Sequence, residues 1–216
     1  MRSVRLLSIL LASALAFSAP ALASARAVRP LTSAEYHQLH HAQDRIRSLE
    51  SSDGRSFRRA SAVCTHLDEV TRLITAVRNG CVDLIRLGGD DAKLNAQATK
   101  CGIDPPSEAA ILTCLVPAVQ SYYQDAEAFY RAESYVDRLA RARGFSSSCV
   151  AVIGDSPRNI AAEGRLAGDL KAAVQALKNQ NPEALQTLSQ QIDTAVKSIK
   201  PGPSSLSLCP RRPASG

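Results

Sequence analysis

The chain reads as an all-α protein, an antiparallel bundle of about five helices stapled by three disulfides. Three observations point there. Apolar residues recur every three or four positions through most of the chain, the period of a buried helical face. Six cysteines stand after an export-type leader, an even count suited to an oxidising compartment. The one short apolar run that could form a strand, Val150 to Ile153, has no partner strand, so it is expected as a buried connector.

Residues 1–23 have the form of a secretory signal peptide. Arg2 and Arg5 precede an apolar run from Leu6 to Phe17, too short for a membrane span, and Ala21-Leu22-Ala23 fits the cleavage pattern. Cleavage after Ala23 leaves 193 of the 216 residues and lowers the formal charge from +6 to +4, since only Arg2 and Arg5 are lost. That length suffices for one domain with a substantial core, expected over residues 32–200. Residues 24–31 are a short leader, and 201–216 a flexible tail tethered at Cys209.

The first helix opens at Thr32, which forms a capping box with Glu35, and Leu31 supplies a hydrophobic staple. Tyr36, Leu39, Gln43, Ile46 and Leu49 carry it to about Ser51, where Ser51-Ser52-Asp53-Gly54 breaks it. A second apolar stripe runs from Phe57 through Cys64, Ile74 and Cys81 to Leu84 without a break in phase. It predicts one helix over 57–87, stopped by Gly88-Gly89. Asp90-Asp91 caps a short helix to about Thr99.

The longest helix is expected from Pro105 to Gly144. Pro105-Pro106 blocks anything upstream, Ser107 caps, and Ile111, Leu115, Tyr122, Phe129, Val136 and Leu139 form the stripe. Pro117 should bend it. Arg138, Arg141 and Arg143 suit its last turns, and Gly144 ends it. Asp155-Ser156-Pro157 starts the next helix, whose stripe includes Ile160, Ala167, Leu170 and Val174. Gly164 and Gly168 there permit a close neighbour. Asn181-Pro182-Glu183 starts the last, with Leu185, Leu188, Ile192, Val196 and Ile199 inward, and Pro201-Gly202-Pro203 ends it.

In one continuous helix Cys64 and Cys81 would lie roughly 25 Å apart and could not bond. An up-down arrangement then pairs Cys64 with Cys149, Cys81 with Cys114 and Cys101 with Cys209. The rival uses a local Cys101–Cys114 bridge. No two cysteines form C-x-x-C, which speaks against a zinc ribbon or a thioredoxin-like pair.

Four clusters could carry chemistry. His37 and His41 are four apart on one helical face that Asp44 extends, a spacing suited to a divalent metal, the only cofactor the sequence suggests. Tyr122, Phe129 and Tyr130 could line a ligand pocket, although an aromatic stripe at helical spacing equally suits a core. Val152-Ile153-Gly154-Asp155-Ser156 resembles the nucleophile block of secreted SGNH-type lipases and esterases, a resemblance that implies Ser156 as nucleophile. That family needs a later histidine as base, and none follows His66. Cys64-Thr65-His66-Leu67-Asp68 resembles the His-Asp pair of secreted phospholipases, but Leu67 intervenes.

No nucleophile, base and oxyanion site are assembled, so the expectation is not an enzyme but a secreted, non-catalytic binding or interaction module. The alternatives are a metal or small-ligand carrier, or more remotely a hydrolase at Ser156. The partner class is an extracellular or periplasmic protein or surface. Arg58-Arg59 and Arg211-Arg212 lack interleaved aromatics, which argues against nucleic acid.

Overall fold

A computed structural model describes residues 27–50, 64, 67, 71–100, 114–200, 202–203 and 205–212. These form six α-helices: α1 (Ser33–Glu50), α2 (Arg72–Lys100), α3 (Val116–Ala142), α4 (Ser147–Ile153), α5 (Pro157–Lys178) and α6 (Pro182–Ser198). A 3₁₀ turn, Leu206–Leu208, follows. The described residues contain no strand; a single backbone bridge joins Leu31 to Arg211. None of their helices is long and apolar enough to cross a membrane.

The capping box at α1 forms as its residues require. Glu35 N–H donates to Thr32 Oγ1 at 3.2 Å, and Thr32 N–H donates back to Glu35 Oε2 at 2.9 Å. Leu31 is fully buried and Tyr36 packs against the same cluster, which fixes the angle at which the chain enters.

The second helix differs from expectation at both ends. Among the described residues it starts at Arg72, with the Thr71 hydroxyl accepting from Ile74 N–H, while the expected start at Phe57 lies outside the described residues. It also runs through Gly88-Gly89 to Lys100, absorbing the short helix expected after Asp90. Each interior glycine costs about 1 kcal/mol. Burial of Leu73, Ile74, Ala76, Val77 and Cys81 along the same helix outweighs that penalty.

The pairing of the cysteines changes accordingly. Cys64 bonds Cys81 with Cα atoms 5.7 Å apart, so the two cannot share one straight helix. Cys149 bonds Cys209, with Cα atoms 4.7 Å apart. The expected pairs Cys64–Cys149, Cys81–Cys114 and Cys101–Cys209 are therefore all replaced. Their premise, a helix continuous from 57 to 87, placed Cys64 at the wrong end.

In α3, Pro117 lies in the first α-helical turn, directly after the π-helical residues Cys114 and Leu115. The part of the expected helix before Cys114 lies outside the described residues. Gly144, at φ 86°, terminates the element as expected. The apolar connector Val150–Ile153 is a short helix capped by Ser146, whose hydroxyl accepts from Cys149 N–H at 3.2 Å. Ser156 and Asn181 cap α5 and α6 as anticipated. In α6 the buried residue is Ala195, and Val196 is half exposed.

The pairs α2–α3 and α3–α5 each run in opposite directions. Gly80 of α2 lies beside Ala132 and Glu133 of α3, while Asp90 meets Ser121, so one helix ascends as the other descends. Tyr130 of α3 lies on Gly164 of α5, and Ala126 packs with Leu166 and Leu170 further along. A second core layer gathers α1, α4, the end of α3 and the tail. The tail is held beyond its disulfide: Leu206 is buried, Leu31 N–H donates to Pro210 O at 2.8 Å, and Arg212 N–H donates to Leu31 O at 3.0 Å.

The two α5 glycines should respond oppositely to alanine. A Cβ at Gly164 would sit 3.0 Å from Tyr130 Cε2, whereas nothing lies within 4 Å of one at Gly168. Gly164→Ala is expected to destabilise by about 1–2 kcal/mol through overpacking. Gly168→Ala is expected to stabilise by about 0.5–1 kcal/mol, because a helical glycine is replaced in open space. Urea titration of the two variants against wild type checks both signs.

Candidate functional site

Between α2, α3, α4, α5 and the segment after α6 lies a cavity of about 800 Å³. This is within the ordinary range for small-molecule sites. Most of its wall is apolar, from Leu84 and Leu87 of α2, Tyr122 and Phe129 of α3, and Leu166 of α5. Three carboxyl groups, Glu133, Asp155 and Glu163, also line it, together with the buried amide of Asn159.

Each acidic group is placed by a different element. Glu133 comes from α3, and two glycines leave it room. A Cβ at Gly80 would stand 3.0 Å from its Oε1, and one at Gly154 would stand 3.2 Å from its Oε2. Asp155 occupies the turn between α4 and α5, where its Oδ1 accepts from Ser156 N–H at 2.6 Å and from Asn159 Nδ2 at 2.7 Å. Asn159 also donates to Lys200 O at 2.6 Å and accepts from Lys200 N–H at 3.1 Å, tying the start of α5 to the end of α6. Glu163 follows Asn159 by one helical turn on the same face. It is 6 % exposed, and its Oε2 is buried with no hydrogen-bond partner.

Burial without a countercharge sets the protonation. Desolvation, followed by the negative charge of Asp155, pushes the Glu133 carboxyl up to about 8. Desolvation, the charges of Asp155 and Glu133, and a hydrogen bond to Asp155 push Glu163 up to about 9. Asp155 is also raised by burial, but donors at Ser156, Asn159 and Glu163 favour its ionised form and oppose the rise. At neutral pH both glutamates therefore keep their protons. Lys200 lines the same cavity, and its side chain forms no ion pair with any of the three acids.

No known protein family, curated protein or solved structure matches the chain. What the site can do therefore rests on its own residues.

Of the candidates from sequence, Tyr122 and Phe129 line the cavity, while Tyr130 turns its ring to Gly164. Ser156 is the cap of α5: its Oγ accepts from Asn159 N–H at 3.2 Å, and no histidine among the described residues lines the cavity. On α1, His37 and His41 are exposed. Asp44 meets the Nδ1 of His40 at 2.9 Å, in an exposed pair. Among the described residues, no group of three or more histidine, cysteine or acidic side chains is arranged to hold a metal ion. His66 lies outside the described residues.

The glutamates were missed although the pattern carried them. Glu133 falls four residues after Phe129 and three before Val136, and Glu163 three after Ile160 and four before Ala167. Both sit on the inward phase of their helices, where a charged residue needs a reason.

Proposed function

We propose that this protein is an exported, non-catalytic binding module that takes a small, largely apolar molecule into the cavity between α2, α3 and α5. One observation carries the reading. A cavity of about 800 Å³ with a predominantly hydrocarbon and aromatic wall, closed at one end by a few polar groups, has the composition of a ligand site. The disulfides Cys64–Cys81 and Cys149–Cys209 fit export to an oxidising space. Cys114 is itself disulfide-bonded, which leaves Cys101, outside the described residues, as its expected partner. Mapping of unreduced peptides should return Cys101–Cys114 with the two bridges already placed.

Titration with the neutral dye N-phenyl-1-naphthylamine tests the cavity. Saturable fluorescence enhancement with one site per chain is expected from the oxidised protein. Ala151 lines the cavity and is half-buried. Ala151→Trp should fill the space and abolish the enhancement while leaving the helical circular dichroism unchanged. A wild-type protein that gives no saturable signal would sink the reading.

A further inference from the structure

We propose that the cavity selects an amphipathic monocation, an ammonium group on a hydrocarbon or aromatic body, with the ammonium seated at Glu133, Asp155 and Glu163. The proposal rests on the binding reading above and gives that site its ligand class. Two independent observations support it. Three carboxyl groups from separate elements line one apolar cavity, and although Lys200 lines it too, its side chain forms no ion pair with any of them. Separately, Glu163 is 94 % buried, with an Oε2 that no protein group satisfies, in a structure that satisfies the neighbouring Asp155 and Asn159 closely.

An orphaned buried acceptor is costly to keep unless something fills its place. A cationic donor does so: an ammonium brings three N–H groups and one positive charge, and it takes the place of carboxyl protons in a cluster of three acids. A carboxylate or phosphate ligand would add negative charge to the same spot and is excluded on those grounds. The remainder of the ligand is specified by the wall. Tyr122, Phe129, Leu84, Leu87 and Leu166 line the same cavity, so the body attached to the nitrogen is apolar. Gly80 and Gly154 serve the same end, because a side chain at either would press on the Glu133 carboxyl.

The test uses three probes with one body and different heads: 4-phenylbutylamine, 4-phenylbutanol and 4-phenylbutyrate. They are titrated calorimetrically into the oxidised full chain at pH 7. The amine should bind at least about tenfold tighter than the alcohol, the difference a charge-assisted contact supplies, and the carboxylate more weakly than either. Amine binding should release protons, seen as a heat that depends on the ionisation enthalpy of the buffer, while alcohol binding should not. In Glu133→Gln/Glu163→Gln the amine should lose its proton release and most of its advantage over the alcohol, with Asp155 alone left to meet the ammonium. An unchanged helical circular dichroism reports that the fold of the variant is intact. Equal affinities for amine and alcohol in wild type, or preference for the carboxylate, would overturn the cation assignment and leave the binding module standing. Failure of all three probes to bind overturns both.

Discussion

Replacement of Arg143 by leucine is expected to destabilise the protein by about 4 kcal/mol, the cost of stranding a buried carboxylate. Glu35 has no exposed surface, and Arg143 holds it with a two-pronged pair, Nη1 to Oε1 at 2.6 Å and Nη2 to Oε2 at 2.7 Å. The same guanidinium donates to Arg29 O at 2.7 Å and Pro30 O at 2.8 Å, so it also fastens the segment before α1 to the end of α3. Burial alone would raise the Glu35 carboxyl. The hydrogen bonds from Arg143 and Thr32, the charge of Arg143 and the Thr71 hydroxyl outweigh burial and hold it at about 2, against an ordinary 4.5.

The sign follows from that depression. A carboxyl depressed on folding contributes stability that is complete above the unfolded value near 4.5, and it is lost as pH falls through the folded value near 2. Wild type should therefore weaken steeply between pH 4.5 and 2. Arg143→Leu should already be weak at pH 7, with a melting temperature lower by roughly 10 °C. Adding Glu35→Gln to Arg143→Leu should recover part of the loss, since no buried charge is then left unpaired. Urea titrations at pH 7 place wild type and both variants on one scale. A single variant within 1 kcal/mol of wild type would refute the role given to the pair.

Much of this architecture was legible because helix boundaries are local chemistry. Thr32 with Glu35, Asp155-Ser156-Pro157, Asn181-Pro182 and Gly144 each mark an end through groups within four residues, and each end lies where expected. The errors arose where packing overrides such signals. Gly88-Gly89 carries the strongest local stop in the chain, yet α2 passes through it because α3 is packed alongside. Conversely, the apolar phase that continues upstream of Arg72 is not one straight rod, since Cys64 returns to Cys81. Periodicity reports which face is buried but not where a segment turns. Arg143 illustrates the same limit at the level of a side chain. Its place in the last turn of α3 suits the helix dipole, but its partner Glu35 is 108 residues away in sequence.

The site was less legible because its decisive groups are ordinary residue types in unusual surroundings. Tyr122 and Phe129 announce an aromatic wall. Nothing in the letters Glu133 and Glu163 distinguishes them from the solvated acids of the same helices, except their phase. Once the helices are packed, that phase brings both carboxyls into the same cavity as Asp155, and their burial without an ion pair among the described residues becomes the informative fact.

That arrangement predicts a stability profile opposite in sign to that of Glu35. Glu133 and Glu163 titrate near 8 and 9 in the folded protein and near 4.5 when unfolded. Across the interval between those values, the native state binds more protons than the unfolded state, so stability must fall as pH rises. Wild type is therefore expected to be most stable near pH 5 and to lose melting temperature steadily up to pH 9. The Glu35 transition is finished below 4.5 and does not overlap this window. Glutamine has nearly the shape of a protonated glutamate but no proton to lose. Glu133→Gln/Glu163→Gln should consequently flatten the profile and exceed wild type at pH 8.5 by more than about 2 kcal/mol, or more than about 4 °C. At pH 5 it should differ little, because both forms are then uncharged. Calorimetric scans at half-unit steps from pH 5 to 9 measure the two slopes directly. Parallel slopes would mean that the carboxyls ionise freely in the native protein and that the cavity end is wet. A flat variant beside a falling wild type would establish that folding itself holds two uncompensated acids out of water, at a cost that a bound cation is suited to offset.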